Sequence, residues 1–257
     1  MSIKLLVNSE AGVGKTSLLR TLGNETFVVS RDAKNFTLPI PHMMVEKWYD
    51  MTTFLYGGKV KDANGTTVEV EGVAQKMHIY TDKMGKPPEN VVFDAVSQIW
   101  MDVIEKASLK QNVFGSQGAE VTKELGLLVK FIHEFLELNG VTVILLNHII
   151  KEKVDGEYTG RYLSFGSGKF LEKKGFFSTV NEAITLTANG QNRTVHIKDL
   201  DKLSRTTLPD VPEKYYLENI INPAKSRKLG EGEKYFSLKE HLDLLKAQAN
   251  TTADFRI

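Results

Sequence analysis

The most constraining feature of the chain is an eight-residue turn close to its start, Ser9-Glu10-Ala11-Gly12-Val13-Gly14-Lys15-Thr16. It fits the pattern G-x-x-x-x-G-K-[ST] except at the first position, where Ser9 stands for glycine. The spacing has a physical reason. Gly12 and Gly14 allow positive φ and let the backbone come close to a bound group. Backbone N–H groups of the turn then converge on an anion, with the following helix start behind them. Lys15 would reach the outer phosphates of a nucleotide, and the Thr16 hydroxyl would ligate Mg²⁺. The flanks agree. Ile3 to Val7 is a short apolar run before the turn, and Thr16 to Arg20 reads as a helix start after it. Ser9 to Ser17 is therefore the expected nucleotide-binding segment, including Glu10, Ala11 and Val13.

A loop of this kind needs a carboxylate partner at the end of a second buried strand. Val91-Val92-Phe93-Asp94 supplies one, with Asp94 expected to hold Mg²⁺ with Thr16. The next residue is Ala95, so a glutamate that could activate water is missing there. Asp32, just past the apolar run Phe27–Ser30, is a candidate for that role, as is Glu10; an ordinary surface role for Asp32 stays open.

The rest of the chain alternates strand-like and helix-like segments, which predicts an α/β fold with a mostly parallel central sheet flanked by helices. Helices are expected over Met43–Tyr56, Val73–Met84, Ile99–Leu109 and Val121–Leu138, and strands at Phe27–Ser30 and Val141–Leu146. Lys59 to Glu71 reads as an inserted β-hairpin about an Asn64-Gly65 turn. Phe114–Gly118 reads as a loop, and Lys151–Gly175 as a long functional or mobile loop. Strands at Asn181–Thr187 and Arg193–Lys198 turn at Asn189-Gly190, and Tyr235–Gln248 is a final helix. The expected division is a core over 1–210 and a C-terminal extension over 211–257.

Composition narrows the classes. Net charge is +1, from 33 basic and 32 acidic residues, which excludes bulk electrostatic nucleic-acid binding but not a local basic groove. With no cysteine, thiolate metal sites and cysteine nucleophiles are excluded. No apolar run reaches the roughly 20 residues that span a bilayer, so no membrane partner and a cytoplasmic location are expected.

The order of these motifs resembles the phage AAA/RecA-like nucleotide-binding proteins, a group that includes minimal Sak-type single-strand recombinases. Val91 to Ser97 is similar to their second Walker strand, and Asn147-His148 falls where RecA-like proteins carry a polar γ-phosphate sensor. The resemblance covers roughly residues 1–210. It implies a P-loop NTPase core that binds and hydrolyses ATP with Mg²⁺, acting on single-stranded DNA as a homo-oligomeric ring or filament. A single-strand-binding protein is a further implied partner, and a host cytoplasm the implied location. His148 would sense the γ-phosphate. The 151–175 loop would bind DNA through Lys151, Lys153, Arg161, Lys169, Lys173 and Lys174, with Tyr158, Tyr162, Phe165 and Phe170 for base stacking. Lys110, Gln111 and Phe114 would form a lesser DNA loop. Lys198, Lys202 and Arg205 would reach a neighbour's nucleotide. A hexameric helicase motor, a P-loop kinase and a non-hydrolysing assembly module share the same loop, and the residues leave each of them open.

Overall fold

Period-two alternation along five apolar strands explains the architecture. In the computed structural model, the strands form a sheet in the order β11-β10-β9-β1-β7-β6-β2-β3, with β8 paired to the outer half of β7. The structure describes residues 2–31, 39–109, 116–154, 157–162, 180–190, 192–199, 204–219, 224 and 226–253. In chain order the strands are β1 (Lys4–Ser9), β2 (Thr26–Ser30), β3 (His42–Met44), β4 (Gly58–Lys61), β5 (Thr67–Val70), β6 (Asn90–Asp94), β7 (Thr142–Val154), β8 (Glu157–Tyr162), β9 (Glu182–Asn189), β10 (Asn192–His196) and β11 (Lys214–Tyr216). The helices, in the same order, are α1 (Lys15–Leu18), α2 (Met51–Tyr56), α3 (Val73–Met84), α4 (Val96–Leu109), α5 (Ser116–Lys130) and α6 (Leu238–Ala253). Strands β3, β2, β6, β7, β1 and β9 run parallel, while β10 and β11 continue the sheet antiparallel. This is an α/β P-loop NTPase fold.

The two faces bury different helices. Leu6, Phe27, Val29, Val91, Phe93, Val143 and Leu145 point to one side, against Phe54, Val73, Met77, Ile99, Leu125 and Leu128 of α2 to α5. Leu5, Val7, Val28, Val92, Ile144, Leu146, Ile184 and Leu186 point to the other. There they meet Leu18, Leu19 and Leu22 beyond the phosphate loop and Leu238, Leu242 and Leu245 of α6. Each such side chain, fully buried, stabilises the fold by roughly 1.5–3 kcal/mol. The segment 211–257 thus contributes an edge strand and a helix that covers the sheet on the loop side.

Several boundaries differ from the sequence reading. Met43–Tyr56 is not one helix: His42–Met44 is a strand beside β2, and only Met51–Tyr56 is helical. Pro39 and Pro41 hold the entry extended, and Asp50 starts the helix late by accepting the Thr53 N–H at 2.7 Å. Ser116–Gly118, read as loop, opens α5, which continues as a π-helical turn over Phe131–Glu137. The hairpin at 59–71 is present, but its turn is one residue earlier. Gly65 N–H donates to Asp62 O and Thr66 closes the pair, so Ala63 and Asn64 are the central residues and Gly65 takes φ 79°. The Asp62 carboxylate fixes this by accepting the Asn64 and Thr66 N–H groups, each at 2.9 Å.

The largest correction concerns 151–175. Lys151–Val154 extends β7 and pairs antiparallel with Glu157–Tyr162. Thr159, Tyr158 and Tyr162 favour strands, and the intervening Asp155-Gly156 is a hairpin-turn dipeptide that a search for loop composition passes over. The remainder of that segment lies outside the described residues.

His241 on α6 tests this packing. It is 3% exposed, meets the Phe236 ring at a tilt with centroids 5.5 Å apart, and its Nε2 has no hydrogen-bond partner among the described residues. Burial lowers its pKa from 6.5 to about 4. Between those values the unfolded chain binds a proton that the folded chain refuses, so stability is full above pH 6.5 and falls as pH drops toward 4. Wild type is expected to lose about 2 kcal/mol more than His241→Phe between pH 7 and pH 5, read from urea midpoints.

Candidate functional site

The site lies where the parallel strands end. β7 sits between β1 and β6, with Ser9 opposite His148 and Asp94 opposite Leu146. The ends of β1 and β6 and the middle of β7 therefore deliver Ser9, Asp94 and His148 to one edge, and the loop 10–14 follows β1 there. Gly14 has φ 114°, a conformation that side chains rarely take, and α1 begins at the next residue. The helix is one turn, continued by a tighter turn over Leu19–Thr21. Its dipole is correspondingly small, and the loop's own backbone groups carry the anion-binding geometry.

Lys15 is 5% exposed. Its ammonium donates to Ser9 Oγ at 2.9 Å and to the Ser9 and Glu10 carbonyls at 3.3 Å each, and lies 3.1 Å from His148 Nδ1. Burial lowers its pKa to about 8, and the charge of Asp94 acts against that shift. Ser9 occupies the variant position and has a role there. Its hydroxyl donates to Glu10 O at 2.7 Å while accepting from Lys15. Thr16 Oγ1 donates to Asp94 Oδ2 at 3.1 Å, so the two expected metal ligands are adjacent. Ala11 and Gly12 are exposed on the crest of the loop and Val13 is buried under it. Residues 1–203 match the AAA domain family, in the part of the chain that builds this loop, its carboxylate and the flanking strands.

The chain belongs to the AAA domain family. Membership supports a nucleotide-binding NTPase of the AAA, P-loop kind. Comparison with curated proteins finds no match. No helix among the described residues is long and apolar enough to cross a membrane.

The sequence singled out other residues with differing outcomes. His148 is brought to Lys15, and its backbone N–H donates to Ser97 Oγ at 3.3 Å. Asp32 lies outside the described residues, as do Lys110, Gln111, Phe114, Phe165, Lys169, Phe170, Lys173, Lys174 and Lys202. Lys151, Lys153, Tyr158, Arg161 and Tyr162 fall on the β7–β8 hairpin. Lys198 Nζ donates to Pro209 O at 2.5 Å, and the Arg205 guanidinium donates to Val180 O, so both are engaged within their own chain.

Three features escaped the sequence reading. Arg31 clasps Asp102 of α4 through two hydrogen bonds at 2.5 and 3.0 Å and donates its N–H to Asp94 O at 2.9 Å. This fixes the chain immediately before Asp32. Beneath the loop, Asn147 Nδ2 donates to Asn8 Oδ1 at 3.0 Å in the buried layer. The third is Arg193 on β10: a Cβ at Gly14 would lie 3.2 Å from its Nη1. A strand-end hairpin carrying one arginine was the available signal for it.

Thr16 and Asp94 offer a hydroxyl and one carboxylate, hard oxygen donors that fit Mg²⁺ bound mainly through phosphates and water. No group of three or more acidic or histidine side chains that could hold a metal by itself occurs among the described residues. Gly14→Ala tests the loop geometry. The added Cβ meets Arg193 and demands a left-handed conformation, so a destabilisation of about 1–2 kcal/mol is expected in urea unfolding, with weaker nucleotide retention.

Proposed function

We propose that the protein is a RecA-like ATPase that acts on single-stranded DNA in phage recombination or replication, annealing or pairing strands as a homo-oligomer. One observation carries this reading. His148 touches the Lys15 ammonium at 3.1 Å, and the same strand runs on without a break through Lys151 and Lys153 into the hairpin that holds Arg161. A change at the phosphates thus has a short covalent route to a basic hairpin.

The chain's own groups have distinct parts in this reading. Lys15 leaves its carbonyl and hydroxyl acceptors to pair with the phosphate chain of ATP, and the incoming negative charge favours its protonated form. Thr16 and Asp94 hold Mg²⁺, which supplies charge neutralisation for the phosphates. His148 follows the terminal phosphate through its contact with Lys15. Asp32 orients the attacking water; Arg31, one residue earlier, is tied to both Asp94 and Asp102. In an assembly, Lys198, Lys202 or Arg205 of a neighbour adds a cation where negative charge builds. A single-strand-binding protein is a further proposed partner.

Wild type is expected to hydrolyse ATP faster with single-stranded DNA than without it, and Lys15→Ala to lose both rates by a hundredfold or so, on the scale of one removed electrostatic catalyst. Turnover indifferent to DNA but dependent on a small phosphate acceptor would instead identify a kinase. Tight ATP binding with no turnover would identify an assembly module, a reading that Ala95 beside Asp94 favours.

DNA contact by the 151–175 segment has its own test. Replacing Lys169, Lys173 and Lys174 with Gln should weaken binding to a labelled oligonucleotide and lower the salt slope by about 2. An unchanged slope would remove the segment from the DNA site.

A further inference from the structure

We propose that Arg193 is a phosphate ligand for the nucleotide bound by its own subunit, delivered to the loop by the β9–β10 hairpin. The proposal rests on the reading of the loop as a nucleotide site and names a group that the loop motif does not contain.

Sheet geometry places it there. β1 stops at Ser9, opposite Leu186, while β9 continues through Thr187, Ala188 and Asn189. β10 returns beside this overhang with Arg193 opposite Ala188. Val195 and Ile197, in the same parity as Arg193, point into the cluster formed with Leu18 and Leu19. Arg193 therefore projects on the face over which the phosphate loop folds, at the end where the loop stands. Its Nη1, Cζ and Cδ would lie 3.2, 3.7 and 3.8 Å from a Cβ at Gly14, so the side chain lies along the loop.

Its charge state points to a ligand. Arg31 has Asp102, Lys4 has Glu137, Arg227 has Glu233, and Lys198 has a backbone carbonyl. Arg193 is half-buried as a residue and, among the described residues, its guanidinium has neither an ion pair nor a hydrogen bond. A guanidinium with no acceptor of its own, lying along a loop whose backbone can receive an anion, is placed to take one. A phosphate chain in the loop supplies the missing acceptor, and the planar fork of guanidinium matches phosphate oxygens.

The experiment uses the full chain and measures binding of ADP and of inorganic tripolyphosphate by calorimetry, with the melting temperature of each variant free of ligand. Arg193→Gln should weaken both ligands by about tenfold or more, the scale of a charge-assisted hydrogen bond. It should also flatten the salt dependence of tripolyphosphate binding, while Arg193→Lys loses less. Lys15→Ala serves as the control for the loop itself. If wild type binds neither ligand, the nucleotide reading fails and Arg193 with it. If wild type binds and Arg193→Gln binds equally well, only the assignment of Arg193 fails. A fall in ligand-free melting temperature with unchanged affinities makes Arg193 a packing residue and overturns the proposal. A loss of affinity seen only at concentrations where subunits assemble would give the guanidinium to a neighbour's nucleotide and overturn the assignment in cis. Should Arg193→Gln not fold, Arg193→Lys decides: weaker tripolyphosphate binding at an unchanged melting temperature supports the proposal, and equal binding overturns it.

Discussion

The parallel ladder that places β7 between β1 and β6 is the constraint on which the site depends. Backbone hydrogen bonds along this ladder fix how far each strand reaches before it ends. Ser9 stands opposite His148, and Asp94 opposite Leu146, so the phosphate loop, the histidine and the carboxylate arrive together. A slip of one residue would turn His148 to the other face and separate it from Lys15. The alternation of Val143 and Leu145 with Ile144 and Leu146 between two buried clusters makes such a slip costly, because it would carry Asn147 and His148 to the wrong sides as well.

That ladder also explains which parts were legible in the sequence. Lys15, Thr16 and Asp94 could be read because their chemistry is local: a glycine-bearing turn after one apolar run and a carboxylate after another. The helix Val73–Met84 was legible because Gly72 and Gly85 mark its ends. His148 was legible only as the polar end of a strand; its contact with Lys15 spans 133 residues of sequence and needs the β1–β7 pairing to exist. Arg193 and the Arg31–Asp102 clasp were illegible for the same reason. Nothing near Arg193 in sequence says that β9 outruns β1, and nothing near Arg31 says that α4 returns beside it. The hairpin after His148 was missed for a different reason. Its charged and glycine residues matched the composition expected of a loop, although its Tyr and Thr residues carry strand preference.

Charge shows the same division between sum and arrangement. A net +1 gives no hint of a nucleotide site. Yet three cations of the chain stand in different conditions. Lys15 is buried among oxygens and the His148 ring, Lys198 is held by a carbonyl, and Arg193 lies along the loop. Burial shifts Lys15 toward its neutral form, while the approach of phosphate would shift it back. A pKa of about 8 still leaves Lys15 mostly protonated near neutral pH, so the loop keeps a buried cation ready for an anion.

The helix α6 has a consequence for how this protein can be handled. Leu238, Leu242 and Leu245 join Leu18, Leu19 and Leu22 in one apolar cluster, and the Lys239 N–H reaches Thr21 Oγ1 at 3.4 Å. The floor under the nucleotide loop is therefore laid by a helix 218 residues further along the chain, counted from Thr21 to Lys239. Loosening α6 would unseat the loop from behind, with every loop residue intact.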